Sequence, residues 1–432
     1  MARKATDYLS QKLKTRVEIG TLEIEFLKTI VLTDVYIEDL HHDTLLFSKK
    51  LKVDIGKLDF ENRTVRVSSV VLLNTKAALV KYREDEDLNF QFIIDLLDSK
   101  DTVKRKSQPW DVSFGEVTFV NTVFDYRNEH DTIITTGVNF TDLSLSNVNG
   151  RLTDIRFDND TIFAGIDYLS AIEKSGFILK NLTSYVKLSS TGLTLNEMKL
   201  KTPESFIETD LVLTYKSYRD YNDFINKVKF NAQFNKSTLE MSDIAYFAPE
   251  LKGVYKKLMI SGKMSGRVND LRGKDLDIST GTNTRFMGDV TLTGLPKIEE
   301  TLIHLSIKSL TTNYNDLRQL PVPPFEKHGT LSIPPNIAKL GNMKFKGTFT
   351  GLYNDFYAYG DFSSALGRLS SDLSVSHDMK RDKQVYKGKL KSIGFDFGKF
   401  LSVPLVGKAS MSVDIDGSGL TLEEITARLT GT

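Results

Sequence analysis

Short stretches that alternate apolar and polar residues run almost from end to end of the chain, separated by turn residues. Residues 112–119 (VSFGEVTF), 229–234 (KFNAQF) and 410–415 (SMSVDI) are examples. Alternation with period two is typical of β-strands that have one apolar face and one solvated face. Parallel sheets need long, usually helical crossovers, and little helical pattern separates these stretches. The pattern predicts a mostly β protein: an elongated, repeating β-groove, built as a curled, antiparallel-rich sheet with an apolar interior and a few short helices.

Helical patterns are few and short. Residues 1–15 are predicted to form an N-terminal helix, and helical insertions are predicted near residues 89–98, 218–226, 242–251 and 314–320. In the first insertion Phe90, Ile93, Ile94 and Leu97 fall at i, i+3, i+4 and i+7, with Asn89 as the capping residue; Ser242 is the candidate cap of the third. No stretch has the composition of a domain linker, so residues 16–432 are predicted to form one continuous β-groove.

The alternation also predicts which residues share a face of the sheet. It does not decide which face is inward, but the more apolar set is the better choice for the lining of a groove. That set is Leu22, Ile24, Phe26, Val117, Phe119, Leu211, Leu213, Phe230, Phe234, Val290, Leu292, Met411, Val413 and Ile415.

Composition narrows the possible chemistry. The chain has 432 residues with 57 basic and 56 acidic side chains, a net charge of +1. A protein that binds nucleic acid would carry a basic excess, so nucleic acid is not expected as a partner. The absence of Cys excludes disulfides, thiol catalysis and cysteine metal sites. No run of residues reaches the roughly 18 apolar positions of a membrane span.

Two short motifs invite a metal interpretation, and a turn explains each of them better. Residues 414–419 (DIDGSG) partly fit a calcium loop, but Ile425 stands where that loop needs a bidentate Glu; we predict a hairpin turn on Asp-Gly and Ser-Gly. Residues 41–43 (HHD) are predicted to form a polar hairpin loop. No catalytic motif or carboxylate pair stands out, and no enzyme, cofactor or metal is predicted.

Several short motifs follow one another in an order that covers essentially the whole chain. They are residues 5–13 (ATDYLSQKL), 17–24 (VEIGTLEI), 31–39 (VLTDVYIED), 43–46 (DTLL), 284–288 (TRFMG), 294–296 (GLP), 314–317 (YNDL), 340–347 (LGNMKFKG), 355–356 (DF) with Gly360, and 366–367 (LG). Taken in this order, they resemble the TamB family of the Bacteroidota, within the AsmA-like superfamily.

This resemblance implies a repeating β-groove in the bacterial periplasm. Such proteins are held in the inner membrane by an N-terminal helix and meet an outer-membrane barrel of the TamA/BamA type through a C-terminal domain. The expected helix before Ala2 and the expected C-terminal domain are both missing from these residues. The family is linked to phospholipid transport and to outer-membrane biogenesis.

The leading hypothesis is therefore a periplasmic bridge segment that conducts phospholipid along the apolar groove. The alternative is a scaffold or chaperone that guides outer-membrane strands by β-augmentation. A carbohydrate-active β-protein is disfavoured, because the chain has one Trp and no evident carboxylate pair.

Overall fold

The fold is mostly β, as predicted: 23 strands belong to one mixed sheet, and the helices are few and short. The computed structural model describes residues 2–26, 28–59, 64–97, 111–131, 136–378, 383–403, 405–419 and 426–432. Contacts divide the chain into two compact units, Met1–Asp223 and Phe224–Thr432.

The first unit holds twelve strands, and helices begin and end it. The strands are β1 (Val17–Glu18), β2 (Thr21–Glu25), β3 (Thr29–Glu38), β4 (Thr44–Asp59), β5 (Thr64–Lys81), β6 (Asp111–Asn128), β7 (Asp142–Asp158), β8 (Thr161–Glu173), β9 (Ile178–Leu179), β10 (Asn181–Ser189), β11 (Gly192–Lys201) and β12 (Phe206–Thr214). The helices are α1 (Ala2–Leu13), α2 (Gln91–Leu97) and a 3-10 helix at Tyr218–Asp223.

The second unit holds eleven strands. These are β13 (Lys229–Glu240), β14 (Lys257–Arg267), β15 (Asp270–Thr280), β16 (Thr284–Thr293), β17 (Leu302–Thr312), β18 (Met343–Gly351), β19 (Phe356–Ser364), β20 (Gly367–Asp378), β21 (Lys383–Asp396), β22 (Lys408–Ser418) and β23 (Thr426–Gly431). Its helices are α3 (Phe224–Lys227), α4 (Met241–Ile244), α5 (Tyr314–Leu317) and α6 (Phe397–Leu401), with 3-10 turns at Pro249–Leu251, Ile298–Glu300, Phe325–Lys327 and Pro335–Leu340.

Within each unit, strands pair antiparallel with near neighbours in the sequence. The exception is the pair β5 and β6, which run parallel over a long register from Thr64 opposite Asp111 to Lys81 opposite Asn128. A parallel pair needs a crossover connection, and the segment between these strands includes α2. The sheet is therefore mixed.

Bulges with left-handed residues bend the long strands of the first unit. Asn74 of β5 and Asn121 of β6 have φ of 47° and 50°, and the Nδ2 of Asn121 donates to the Oδ1 of Asn74 at 2.6 Å. The backbone N–H of Asn121 donates to Asn149 Oδ1 of β7 at 2.9 Å. Asn tolerates the left-handed region better than other side chains, so these residues allow the bulge and also connect it to neighbouring strands.

Two predicted helix caps do not form. The carboxamide of Asn89 is buried against β5: its Oδ1 accepts from the Val80 N–H at 3.0 Å, and its Nδ2 donates to Ala78 O and to the Asp39 carboxylate. The short α4 begins one residue earlier than predicted, with Glu240 at the cap position and no side-chain cap bond. In both places a competing backbone or tertiary contact determines where the helix begins.

Candidate functional site

One face of the second unit is apolar across ten consecutive strands, β13 to β22. Residues that face one another across antiparallel strands lie on the same side of a sheet, so the register sorts side chains into cross-strand columns. The first column is Phe230, Gly266, Leu271, Leu292, Ile303, Gly351, Phe356, Val375, Tyr386 and Gly417. The second is Ala232, Met264, Gly273, Val290, Leu305, Phe349, Ala358, Leu373, Gly388 and Ile415.

Two further columns run beside them. The third is Leu276, Gly288, Ile307, Gly347, Gly360, Ser371, Leu390 and Val413, and the fourth is Ile260, Ile278, Phe286, Leu310, Phe345, Phe362, Leu369, Ser392 and Met411. We call these four columns the apolar face of the second unit. None of their members is charged.

The opposite face of the same strands is polar. The row between the first two columns is Asn231, Ser265, Arg272, Thr291, His304, Thr350, Tyr357, Ser374, Lys387 and Asp416. Lys387 and Asp416 form an exposed ion pair at 3.7 Å, and Arg285 makes a bidentate pair with Asp277 on this side of the sheet. The sheet is thus amphipathic, with its charges segregated to one side.

Protein covers the apolar face at one end of the strands. There Leu340, Met343 and Phe395 form a buried core, against which Phe362 and Leu369 of the fourth column and Phe397 and Phe400 of α6 pack. Most of the larger side chains of the first and second columns stay half-buried instead, among them Leu292, Ile303, Phe349, Phe356 and Leu373. Much of this face is therefore apolar surface that the described residues do not fully cover.

The first unit carries similar columns. One consists of Leu22, Leu32, Leu51, Leu72 and Phe119, and another of Ile24, Ile30, Val53, Val70, Val117, Leu152 and Ile166. Two more cross β8 to β12: Ala164, Val186, Leu195 and Leu211, and Ile162, Leu188, Leu193 and Leu213. We call these the apolar columns of the first unit.

The register brings together thirteen of the fourteen residues predicted from alternation, each within its own unit. The apolar columns of the first unit include Leu22, Ile24, Val117, Phe119, Leu211 and Leu213. In the second unit Phe230, Val290, Leu292, Met411, Val413 and Ile415 belong to the apolar face, and Phe234 shares their side of β13 opposite Gly262. Whether these residues line a lipid path stays a prediction.

Phe26 is the exception. Strand β2 ends at Glu25, whose carbonyl accepts from the Lys28 N–H as the chain reverses. Phe26 lies in this turn with φ of 50°, and its side chain is 94% exposed. The alternation could not reveal this, because the turn between β2 and β3 is too short to contain a typical run of turn residues.

The hairpin turn predicted for residues 414–419 is wrong for Asp416-Gly417, because β22 continues to Ser418, where it pairs with Thr426 of β23; residues 420–425 lie outside the described residues. Asp414 and Asp416 lie within β22, opposite Lys389 and Lys387 of β21. Alternation places both carboxylates on the polar face, where the lysines balance them. By contrast, His41 and His42 do lie in the turn between β3 and β4. Among the described residues, no group of three or more His, Asp or Glu side chains is arranged to hold a metal ion.

A buried polar cluster holds that turn, and sequence reasoning missed it. The Asp39 carboxylate is fully buried and accepts from the backbone N–H groups of His41 and Asp43, from the Tyr82 hydroxyl and from Asn89 Nδ2, at 2.8 to 3.0 Å. Burial, together with hydrogen bonds to Asp43 and Asp39, raises the pKa of Tyr82. The only signal in the sequence is an Asp at the end of a strand before a turn, which is common.

His41 borders a small hollow beside this cluster. Its ring stacks on Tyr82, and its Nε2 lies 2.7 Å from Asp85 Oδ2, a hydrogen bond that raises the pKa of His41. The hollow has a volume of 230 Å³ and is lined mainly by acidic and apolar residues of the 85–95 segment. Every polar contact just named joins the turn to β5 or to the loop after it, so the cluster has a structural explanation.

Comparison with known proteins adds no assignment. No protein-family model matches the chain, and neither a curated protein nor a solved structure matches it. In the described part of the chain, no helix is both long enough and apolar enough to cross a bilayer.

Proposed function

We propose that the protein carries phospholipid, with the acyl chains lying on the apolar faces of its sheet. The observation that supports this most strongly is the apolar face of the second unit: four neighbouring columns without a charged side chain, backed by a polar face on the same strands. Large apolar surfaces left uncovered by the protein itself are typical of sites that bind another apolar molecule.

The dimensions of the face suit an acyl chain. Neighbouring strands are ~4.8 Å apart, so the nine steps from β13 to β22 extend for roughly 43 Å. One leaflet of a bilayer core is about 15 Å thick, so an acyl chain could occupy several positions along the face. Each buried methylene contributes ~0.8 kcal/mol, and a continuous apolar surface supplies a similar gain at each position. Movement along the face would then meet no charged side chain.

The order of short motifs supports a specific setting for this activity. Because that order resembles the TamB family, we propose a periplasmic role in the supply of phospholipid between inner and outer membrane. Anchoring in the inner membrane and docking on an outer-membrane barrel belong to this proposal. This transport requires no catalysis, because the lipid is moved without any change in its covalent structure.

Site-specific crosslinking combined with lipid analysis tests the proposal. A photoreactive residue is placed at Leu305 or Leu373 on the apolar face, or at their chain neighbours Ser306 and Ser374 on the polar face, and the protein is irradiated in cells. We expect phospholipid adducts at the first pair only, identified by mass spectrometry.

The same experiment separates the two leading hypotheses. Adducts to polypeptide at Leu305 and Leu373, with no lipid, would replace the lipid path by a scaffold for nascent strands. Equal labelling of all four positions would contradict both. In the first unit, Phe119 and Leu213 against Thr118 and Val212 form the equivalent set.

A further inference from the structure

The loop that follows α6 exposes three apolar side chains in a protein that otherwise exposes large apolar residues mostly on strands. Val403 is 40% exposed, Leu405 is 98% exposed and Val406 is 43% exposed. We call these three residues the apolar loop. They follow α6, at the end of the strands where helices cover the apolar face. They are therefore separate from the four columns.

The backbone of this loop is held in place. The Val403 N–H donates to Gly398 O at 3.0 Å, and the Val406 N–H donates to Val403 O at 3.1 Å. The Val406 carbonyl lies so close to Gly398 that the helix has no room there for a Cβ. Helix α6 is itself anchored, because Phe397 and Phe400 pack against the buried core. The fold thus presents the apolar side chains outward on a fixed base.

Lysines lie on both sides of the apolar loop in the chain, and a third contacts the residues just before it. Lys399 and Lys408 flank it in the sequence, and the Nζ of Lys339 donates to Phe400 O at 3.3 Å and to the Ser402 hydroxyl. The acidic residue nearest in the chain, Asp396, is buried, and it accepts from the Lys399 N–H at 2.9 Å as the cap of α6. The Asp396 carboxylate also lies 3.7 Å from the Nζ of Lys399, whose side chain stays largely exposed.

The polar face continues this positive charge at the same end of the strands. Lys344 of β18, Ser363 of β19, Arg368 of β20 and Ile393 of β21 form one cross-strand row. Ile393 is more than half exposed beside Arg368. Exposed apolar side chains within a basic surface are the combination by which peripheral proteins bind anionic bilayers.

We propose that the apolar loop inserts into the surface of an anionic bilayer, with Lys339, Lys399 and Lys408 contacting the lipid headgroups. A protein partner would more typically use a broad, shape-complementary patch with aromatic anchors, whereas a few exposed aliphatic residues with lysines before and after them fit a fluid, negatively charged surface. This inference does not require lipid to occupy the sheet, and it concerns a different set of residues.

The absence of cysteine makes the test direct, because one introduced Cys carries the only label. An environment-sensitive fluorophore is attached to Leu405→Cys or, as the matched control, to Phe26→Cys. Both side chains are almost fully exposed, but near Phe26 the acidic residues Glu23 and Glu25 offset Lys28 and Lys52, and Glu25 pairs with Lys52 at 3.4 Å. With vesicles of phosphatidylcholine and phosphatidylglycerol we expect a blue shift at position 405 and none at position 26.

Flotation with the same vesicles measures how much the apolar side chains and the lysines each contribute to membrane binding. Leu405→Ser removes the most exposed apolar side chain and is expected to weaken binding about tenfold. The pair Lys399→Gln and Lys408→Gln removes two charges without placing a carboxylate beside Asp396, and it is expected to weaken binding by about tenfold or more. Added salt is expected to weaken binding of the unaltered protein as well. Because these residues are exposed, urea unfolding of the variants should match that of the unaltered protein.

Three outcomes would overturn the proposal. One is no shift at position 405 in the presence of the anionic vesicles. Another is equal binding to vesicles of pure phosphatidylcholine, which would remove the role of the lysines. The third is a shift without vesicles that grows with protein concentration, which would assign the loop to a second copy of the chain. Lipid adducts at Leu305 are expected to be the same with and without Leu405→Ser, so this test and that of the proposed function can fail separately.

Discussion

At the scale of single residues, left-handed backbone positions inside strands require particular side chains. Asn121 combines a positive φ with two polar contacts, one from its side chain to Asn74 and one from its backbone N–H to Asn149. Alanine in the left-handed region costs roughly 1 to 2 kcal/mol, whereas glycine has no such penalty. Position 121 therefore depends on backbone conformation as much as on hydrogen bonding.

Replacement of Asn121 tests this explanation. We expect Asn121→Ala to lower the free energy of unfolding by about 2 kcal/mol, since it loses a hydrogen bond and adopts an unfavourable φ. Asn121→Gly should recover more than half of that loss. Urea unfolding measures the loss in the free energy of unfolding for both variants. Equal losses in the two variants would mean that the hydrogen bond, and not the backbone, governs the position.

Asp316 shows how a buried carboxylate can be accommodated. Burial alone would raise the pKa of Asp316, but hydrogen bonds from the Thr282 and Asn283 N–H groups and from the Thr282 and Thr284 hydroxyls outweigh it, so its pKa lies below the usual value. A carboxylate whose pKa is lowered by folding stabilises the folded state above its unfolded pKa. That stabilisation is lost as pH falls through the lowered pKa.

A pH series of unfolding measurements should show this dependence. We expect Asp316→Asn to destabilise the protein by about 3 kcal/mol at neutral pH, because the amide cannot accept the same set of hydrogen bonds. The difference from the unaltered protein should shrink on acidification, as Asp316 takes up a proton. The control Asp416→Asn removes an exposed carboxylate and should change stability by about 0.5 kcal/mol or less. If the difference in stability between Asp316→Asn and the unaltered protein does not change with pH, the lowered pKa of Asp316 does not contribute to stability.

Residue-level detail was the least predictable from the sequence. Alternation placed Val290, Leu292 and Ile415 on a common face because their strands are regular. Alternation failed at Phe26, where a tight turn follows the strand, and the turn predicted from Asp416-Gly417 was wrong because these residues lie inside β22. Asp-Gly favours a turn only when the neighbouring backbone is free to reverse, and pairing with β21 prevents that.

At the scale of elements, helix α2 shows what an amphipathic pattern can and cannot establish. The i, i+3, i+4 spacing correctly indicated a helix, but it grouped Ile93 and Ile94 as equally buried. Ile93 is half-buried, while Ile94 is 39% exposed. The spacing therefore does not determine which of two neighbouring apolar residues is covered.

Substitution of the two isoleucines should separate their roles. We expect Ile93→Asp to lower the free energy of unfolding by about 2 kcal/mol, because a carboxylate would lose solvation against apolar neighbours. Ile94→Asp should cost about 0.5 kcal/mol or less, as at other exposed positions. Thermal unfolding monitored by circular dichroism can distinguish these two losses of stability. Similar losses in both variants would show that the whole stripe is covered.

At the scale of the whole molecule, the apolar columns make stability depend on what covers them. A ligand that binds the folded state and not the unfolded state stabilises the fold in proportion to its occupancy. If acyl chains occupy the columns, removal of lipid leaves exposed apolar surface. We therefore expect mild detergent extraction to lower the melting temperature and to promote aggregation.

Addition of phospholipid should reverse that change. Two variants test this. Leu305→Asp places a carboxylate in the second column of the apolar face, and its matched control, His304→Asp, places one on the polar face. We expect lipid to raise the melting temperature of His304→Asp but much less that of Leu305→Asp. Scanning calorimetry with and without lipid provides the comparison. No effect of lipid on the unaltered protein would contradict the proposed function.

The mostly β class was predictable because period-two alternation is repeated in almost every strand, so errors at single strands do not change the result. The columns themselves were not predictable, since they require the register between strands. Bulges such as the one between Gly273 and Leu276 of β15 shift that register locally. The apolar loop was also missed, because exposure of Leu405 depends on how α6 is packed.

Local strand pairing has a consequence for the order in which the protein can assemble. In each unit the strands pair with the next strand in the sequence, or with the next but one, and the two longest connections are those between β5 and β6 and between β17 and β18. Contacts between near neighbours in sequence need little chain closure and form quickly. As in other repetitive architectures, each added strand uses the previous one as its template, so folding can advance along the chain while the rest is still being made or translocated. Pulse-labelled hydrogen exchange would detect this as protection that spreads from strand to strand.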